Sequence, residues 1–356
     1  MIPQGAHPNA GPGTQREARG WGPASGAGSA WTLGPTEVPS AAMRAMVFGA
    51  GLGTRLRPLT ELLPKPVVPF FGRPLAGWAL DHLVAAGASS VVVNTHHLAE
   101  RVEAALAEHV ARAHPSIPLA FSREPGLLGT GGGLRRAWEL EEERRGRMGE
   151  DEVLVAMNGD ILFAPDLRAV VAEHRARGAD ATLVLRRTED PFSLGAIEVD
   201  PEGRVVAMLA KSTTHPSGTA AMFTGVHVLS RRALARLPRE GCVVRQGYRT
   251  WLAEGRVFGT LSDAAWLDLG TPRVYRDAHL EVLRGRRALP GLEADGSWVA
   301  PDATVSRGAR LEETVLGPRS SVGARSLTRV VVWPGAHVDS DLSDAIVLPD
   351  GRVVLV

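Results

Sequence analysis

FGAGLGTRLRPLT, Phe48 to Thr60, followed at once by Leu63-Pro64-Lys65-Pro66, is the stretch that decides how this chain is read. Apolar Ala45 to Phe48 supply the end of a strand. Gly49, Gly51 and Gly53 then alternate with Ala50 and Leu52, and without Cβ atoms in the way backbone N–H groups can turn towards an anion. Thr54 closes the turn, and Arg55, Arg57 and Lys65 neutralise what those amides leave charged. The segment reads as a loop that grips a triphosphate.

Among the 40 Lys and Arg residues only Lys65 and Lys211 are lysines. A bias that strong makes the exceptions informative, because Lys offers a compact charge that the planar guanidinium fork does not replace. Both are expected to touch phosphate; the alternative is two surviving surface lysines. Two other nucleotide readings fail on the residues. A Walker loop needs Gly-Lys-Ser/Thr after four spacers, which is absent. The dinucleotide fingerprint needs a third glycine where Thr54 stands and an acidic residue ending a second strand about 20 residues on.

Composition sets the frame. The formal net charge is +1 with the arginines scattered, so neither nucleic acid nor an anionic membrane is supported as a partner. A single cysteine, Cys242, excludes an intrachain disulfide and fits a reducing cytoplasm. No apolar run approaches the length of a membrane-spanning helix. Residues 1–42 are rich in Gly, Ala, Pro and Ser, without apolar periodicity or the layout of a signal peptide. They are expected to be a disordered extension, with Met43 as the true start.

From Met43 onward strand and helix signals alternate: strand 44–48, helix 74–86, strand 90–94, helix 98–109, strand 118–122, helix 131–144, strand 152–157, helix 166–176. This predicts an α/β fold, a Rossmann-like, mostly parallel sheet with helices on both faces. Ligands collect at the carboxyl ends of such strands, where both the Gly49 loop and Asn158-Gly159-Asp160 fall. Shorter strands follow (181–186, 194–199, 204–209, 222–229, 256–261), then a helix at 272–284. Beyond Pro290 apolar residues recur every six positions: Val299, Val305 and Leu311; Leu316 and Val322; Val332 and Val338. That period predicts a short left-handed parallel β-helix of hexapeptide repeats, about three coils. The expected domains are 43–287 and 288–356.

These motifs together resemble the sugar-1-phosphate nucleotidyltransferases, the NDP-sugar pyrophosphorylases. The resemblance covers Met43 to about Leu283. Gly51 to Thr60 with Pro64-Lys65-Pro66 is similar to the family signature at nearly every position. Gly129-Thr130-Gly131-Gly132, Asn158-Gly159-Asp160, Phe223-Thr224-Gly225 and Trp266-Leu267-Asp268-Leu269-Gly270-Thr271-Pro272 resemble its later motifs in order. The resemblance implies an enzyme in which a sugar-1-phosphate oxygen attacks the α-phosphorus of an NTP and expels pyrophosphate. A phosphate monoester is largely a dianion at neutral pH, with its second pKa near ~6, so no general base is sought. The site must instead bring two anions together.

By the same resemblance Asp160 and Asp268 hold Mg²⁺, and Arg55 and Lys65 act catalytically on the β and γ phosphates and the departing pyrophosphate. Bland alternatives are a helix N-cap for Asp160, a turn acid for Asp268 and a solvated charge for Arg55. Gly49, Ala50, Gly51, Gly53, Thr54, Glu124 and Gly129 are expected at the nucleotide, although Gly129 to Gly133 would also suit close helix packing. Gly195, Lys211 and Thr224 resemble sugar-phosphate positions.

Three departures matter. The family's Glu before Lys211 is Ala210, the Pro after it is Ser212, and its Leu-Ala-Ala-Gly opening is Phe48-Gly49-Ala50-Gly51. The missing acid bears on the sugar more than on the reaction. Phe223-Thr224-Gly225 is similar to the N-acetylmuramate-1-phosphate uridylyltransferase branch, whereas the tail resembles mannose-1-phosphate guanylyltransferases. These motifs do not choose between the two; GTP with mannose-1-phosphate is taken as the first expectation and a uridylyl transfer as the second, with a silent sugar-nucleotide-binding regulator as the rival. The tail is expected to mediate self-association. His96 and His97 read as caps or packing, Trp78, Trp138 and Trp251 as core, and His337 as a turn residue.

Overall fold

The computed structural model describes residues 42–193, 195–289 and 291–356. The expected disordered extension, Ala42 apart, and Leu194 lie outside them. The strand Met43–Phe48 is buried along nearly its whole length, as a strand flanked on both edges and both faces must be. It pairs in parallel with Ala88–Thr95 on one side and with Val153–Asn158 on the other. Leu119–Arg123 adds in parallel beyond Ala88–Thr95. The chain thus runs outward for two strands and then crosses back past its starting strand, which opens a crevice at the carboxyl ends where the order reverses.

The helices follow from that path. Leu75–Ala85 and Ala99–Ala113 make the first two crossovers, and Gly129–Arg145 makes the return. A right-handed crossover must change face when its direction across the sheet reverses. The cores agree: Leu80, Leu83, Val102 and Leu106 pack with Ala45 and Val47 on one face, whereas Leu134, Ala137 and Trp138 pack with Met46 on the other. Leu80, Leu83, Leu106 and Leu134 are fully buried, each worth about 1.5–3 kcal/mol of apolar transfer.

The nine-stranded sheet is completed by Thr219–Ser230, antiparallel to Val153–Asn158, by Ala181–Arg186 and Val257–Leu261, parallel to each other, and by Ala196–Val199 with Val205–Ala210. The expected helix at 131–144 begins two residues earlier, at Gly129, and the one at 98–109 runs on to Ala113. Leu106 and Val110 continue the buried stripe of the latter.

After the helix Pro272–Leu283 come two further sheets. In one, Trp298–Val299 pairs in parallel with Val315–Leu316, that strand with Ser326–Val332, and Ser326–Val332 with Leu342–Val347; Val353–Leu355 closes it antiparallel. In the other, Thr304–Val305, Ser321–Val322 and His337–Val338 stack in parallel. Leu316, Val322, Val332 and Val338 share one buried apolar cluster. Val299 and Val305, 41% and 38% exposed, do not. A shared apolar core joins Val315, Val331, Trp333, Ile346 and Leu348 to Phe70, Phe71, Tyr275 and Leu280. No helix among the described residues is long and apolar enough to cross a membrane.

Candidate active site

Lys65 stands at the centre. It begins a short 3-10 turn, Lys65–Val67, where flanking prolines restrict the backbone, and it is only 4% exposed. Its Nζ donates to Asp160 Oδ2 and to Asp268 Oδ1, both at 2.9 Å. Arg55 Nη2 meets Asp268 Oδ2 at 3.0 Å, with a side chain 71% exposed. Four of the expected residues, from segments up to 213 positions apart, therefore share one array.

Register explains the meeting. Asp160 follows Val153–Asn158 in the tight connection to the three-residue strand Ile161–Phe163. That strand pairs antiparallel with Trp266–Asp268, setting Asp268 opposite Ile161, next door to Asp160. The helix N-cap role belongs to Asp166, whose side chain accepts the Ala169 N–H at 3.0 Å, so Asp160 is not spent on it. Burial tends to raise the Asp268 pKa, but hydrogen bonds and charge from Lys65, then Arg55, outweigh it and hold the carboxyl below its ordinary value.

The glycine loop is shaped around Lys65. Gly53 adopts φ +61°, and a Cβ there would lie 2.7 Å from Lys65 Cβ; the Thr60 hydroxyl donates to its carbonyl at 3.0 Å. Gly49 packs where a Cβ would come within 2.8 Å of the Asn94 carbonyl. Gly51 has open space, and it, Thr54 and Arg57 are exposed.

Beside this array lies a pocket of about 300 Å³, lined by Phe48, Ala50, Gly51, Lys65, Asn94, Glu124, Leu127, Gly129, Thr130, Asn158 and Asp160 among others. Phe48, Asn94 and Asn158 occupy one register row across three parallel strands. Asn94 was not singled out from sequence. Its Oδ1 accepts the Gly49 N–H and its Nδ2 donates to Glu124 Oε1, both at 2.8 Å, while Glu124 Oε2 accepts the Leu128 N–H at 3.0 Å. Both side chains are buried, so they tie the glycine loop to the loop 124–128. The legible signal was a polar residue ending the apolar run Val91–Val93 at a carboxyl end.

The glycines after Leu128 serve packing. A Cβ on Gly129 would lie 2.6 Å from the Gly241 carbonyl, one on Gly131 2.6 Å from Pro238 Cγ, and one on Gly132 2.4 Å from the Arg239 carbonyl. Gly131 N–H also donates to the Gly241 carbonyl at 2.8 Å.

The sugar-side expectations are placed elsewhere. Thr224 is 2% exposed, its hydroxyl donating to the Val184 carbonyl at 2.7 Å and its own carbonyl accepting the Trp266 indole N–H at 3.0 Å. Gly195 has φ +89° and lies against Leu209. Lys211 is exposed and lines none of the pocket above. His96 does not cap the helix Ala99–Ala113 but packs half-buried, its Nδ1 2.9 Å from the Glu124 carbonyl; Trp78, Trp138 and Trp251 are core.

Residues 44–285 match the Nucleotidyl transferase family. A mannose-1-phosphate guanylyltransferase of Mycobacterium tuberculosis is 32% identical over 309 residues, 83% of this chain and 81% of that protein. The mannose-1-phosphate guanyltransferase beta-B of Xenopus laevis is 28% identical over 65% of this chain and 62% of its own length. A UTP–glucose-1-phosphate uridylyltransferase of Synechocystis is 26% identical over 73% of this chain and 68% of its own. With its glycine turn, buried lysine and paired aspartates at one crevice, this chain belongs to the Nucleotidyl transferase family, as an enzyme of the sugar-1-phosphate nucleotidyltransferases.

Proposed function

We propose that this enzyme transfers guanylyl from GTP to mannose-1-phosphate, releasing pyrophosphate. The observation that carries the reaction is Lys65 Nζ held 2.9 Å from both Asp160 and Asp268 beside the glycine-lined pocket. The choice of base and sugar rests on the guanylyltransferase names of relatives that include the 32% identical one.

Two carboxylates converging on one cationic point are the donor set a hard divalent ion takes, so Asp160 and Asp268 fit Mg²⁺. Bound there, Mg²⁺ would neutralise phosphate charge. The chain's own groups do the rest. N–H groups of Ala50 and Gly51 face the phosphates, and Lys65 and Arg55 stabilise negative charge as pyrophosphate leaves. The base lies on Phe48, Ala50 and half-exposed Leu127, read by backbone near Gly129. Gly195 and Lys211 would face the sugar phosphate, whereas Thr224 is buried with its hydroxyl and carbonyl already engaged. No base is needed for a nucleophile that is already dianionic.

The stacked parallel strands of residues 298–347 would be coils of a left-handed β-helix through which subunits associate, in an enzyme working in the cytoplasm. A pyrophosphate-release screen tests the function: five NTPs against a panel of sugar-1-phosphates with Mg²⁺, and Asp160→Asn as control. GTP with mannose-1-phosphate should lead. A uridylyl pair in first place replaces the substrate reading, and no release with any pair favours a silent regulator.

A further inference from the structure

On the far side of the helix Leu75–Ala85, Asp81 meets two histidines from the end of the neighbouring helix. His109 Nε2 lies 2.6 Å and His114 Nε2 2.8 Å from the same Asp81 Oδ1. Among the described residues these three form the one group of His, Cys, Asp or Glu side chains whose ligand atoms all come within 4.8 Å of one another. The cluster shares no residue with the Lys65 array.

Three features mark it as built. Gly77, one turn before Asp81, leaves the space in which the His109 ring lies: a Cβ there would stand 3.1 Å from Nε2 and 3.2 Å from Cδ2. A helix-interior glycine is unfavourable unless something uses the room. Arg73, stacked over Trp78 at 4.5 Å, reaches Asp81 Oδ2 at 3.4 Å, the outer partner that orients a ligating carboxylate. Asp81 and His114 keep 22% and 21% side-chain exposure, so the cluster opens to solvent on one side while His109, at 3%, does not.

We propose that Asp81, His109 and His114 bind Zn²⁺ or a similar first-row divalent ion, clipping the two helices together. Two imidazoles with one carboxylate suit such an ion and not Mg²⁺. Around a tetrahedral ion with ligand bonds of about 2.0–2.1 Å the donor atoms stand ~3.3 Å apart, so the present N···O separations open by only about 0.7 Å at His109 and about 0.5 Å at His114. Each histidine gives up its Nε2 proton to solvent or carries it on Nδ1. The His109 Nδ1 has no hydrogen-bond partner, so its tautomer is not locked against binding. A buried N–H left there lowers the affinity.

The test uses the full chain, stripped by chelator, in the Asp160→Asn background so that Zn²⁺ at the other carboxylates is not counted. One equivalent of Zn²⁺ should bind and raise the melting temperature. Adding His114→Ala should weaken binding at least ~10-fold and abolish that rise. Equal affinity and equal rise in both overturn the proposal, leaving an aspartate hydrogen-bonded to two histidines. Should the His114 variant fail to fold, imidazole NMR of the unsubstituted chain decides. Co²⁺ must shift or broaden His109 and His114 together, and unperturbed signals overturn it.

Discussion

Lys65 holds two carboxylates that would otherwise repel each other, and at 4% exposure it leaves little room for water to screen those contacts. Replacing it with Ala removes the cation from the reacting phosphates and leaves Asp160 and Asp268 facing each other. Turnover should fall about 10²–10³-fold, the range for losing one preorganised charge-stabilising donor, while circular dichroism stays native. An unchanged rate would remove Lys65 from the chemistry. Asp268→Asn acts on stability too. The folded carboxyl is held below its ordinary value, so its contribution is present above the unfolded pKa and is lost as pH falls through the folded one. The variant should therefore melt lower than wild type at neutral pH and match it progressively below about pH 4. A gap that persists in acid would show that charge is not the cause. Arg55, Lys65, Asp160 and Asp268 were legible because cations and acids in motifs have one chemistry to do. Asn94 was legible only as a polar residue ending the run Val91–Val93, since an amide at a strand end does not say what it binds until the partner strands are known.

Between residues and fold stand the short elements that aim the site. The two three-residue strands Ile161–Phe163 and Trp266–Asp268 bring the aspartates together, and no period or propensity in so few residues announces a pairing across a hundred positions. The long alternating elements were legible, because buried stripes and strand runs repeat. The start of the helix at Gly129 was not, since four of its first five residues are glycines and only the loop Pro238–Gly241 pressed against them makes sense of it. Gly53→Ala tests how the loop is built. The residue would be held at positive φ with its Cβ driven into Lys65, so melting temperature and activity should fall together, the loss exceeding the ~1 kcal/mol of the backbone alone. Asn94→Ala should leave the Gly49 N–H and the buried Glu124 short of partners at a cost of about 1–3 kcal/mol. Because it loosens the pocket and not the Lys65 array, KM for the NTP should rise more than kcat falls; a pure kcat loss would place Asn94 in the chemistry instead.

At the scale of the molecule, the six-residue recurrence marked out a different architecture after Pro290, but not that it completes the core of what precedes it. Trp333, Ile346 and Leu348 are buried against Phe71, Tyr275 and Leu280, and Arg276 reaches from the helix Pro272–Leu283 to Asp344 at 2.7 Å and the Val356 carbonyl at 2.8 Å. A chain ending at Arg287 would strip cover from several fully buried side chains at about 1.5–3 kcal/mol each, comparable in sum with the ~5–15 kcal/mol that holds a domain together. It should melt far lower or aggregate, whatever the tail does between subunits. Self-association is better tested on the surface. Leu355 lies on the last strand with 74% exposure, so Leu355→Glu should leave melting temperature and turnover within error of wild type. If subunits associate through that strand, sedimentation will show a smaller particle for Leu355→Glu than for the unsubstituted chain. An equal mass would move the contact elsewhere, and a lowered melting temperature would show that the strand is part of the core and not an edge awaiting a partner.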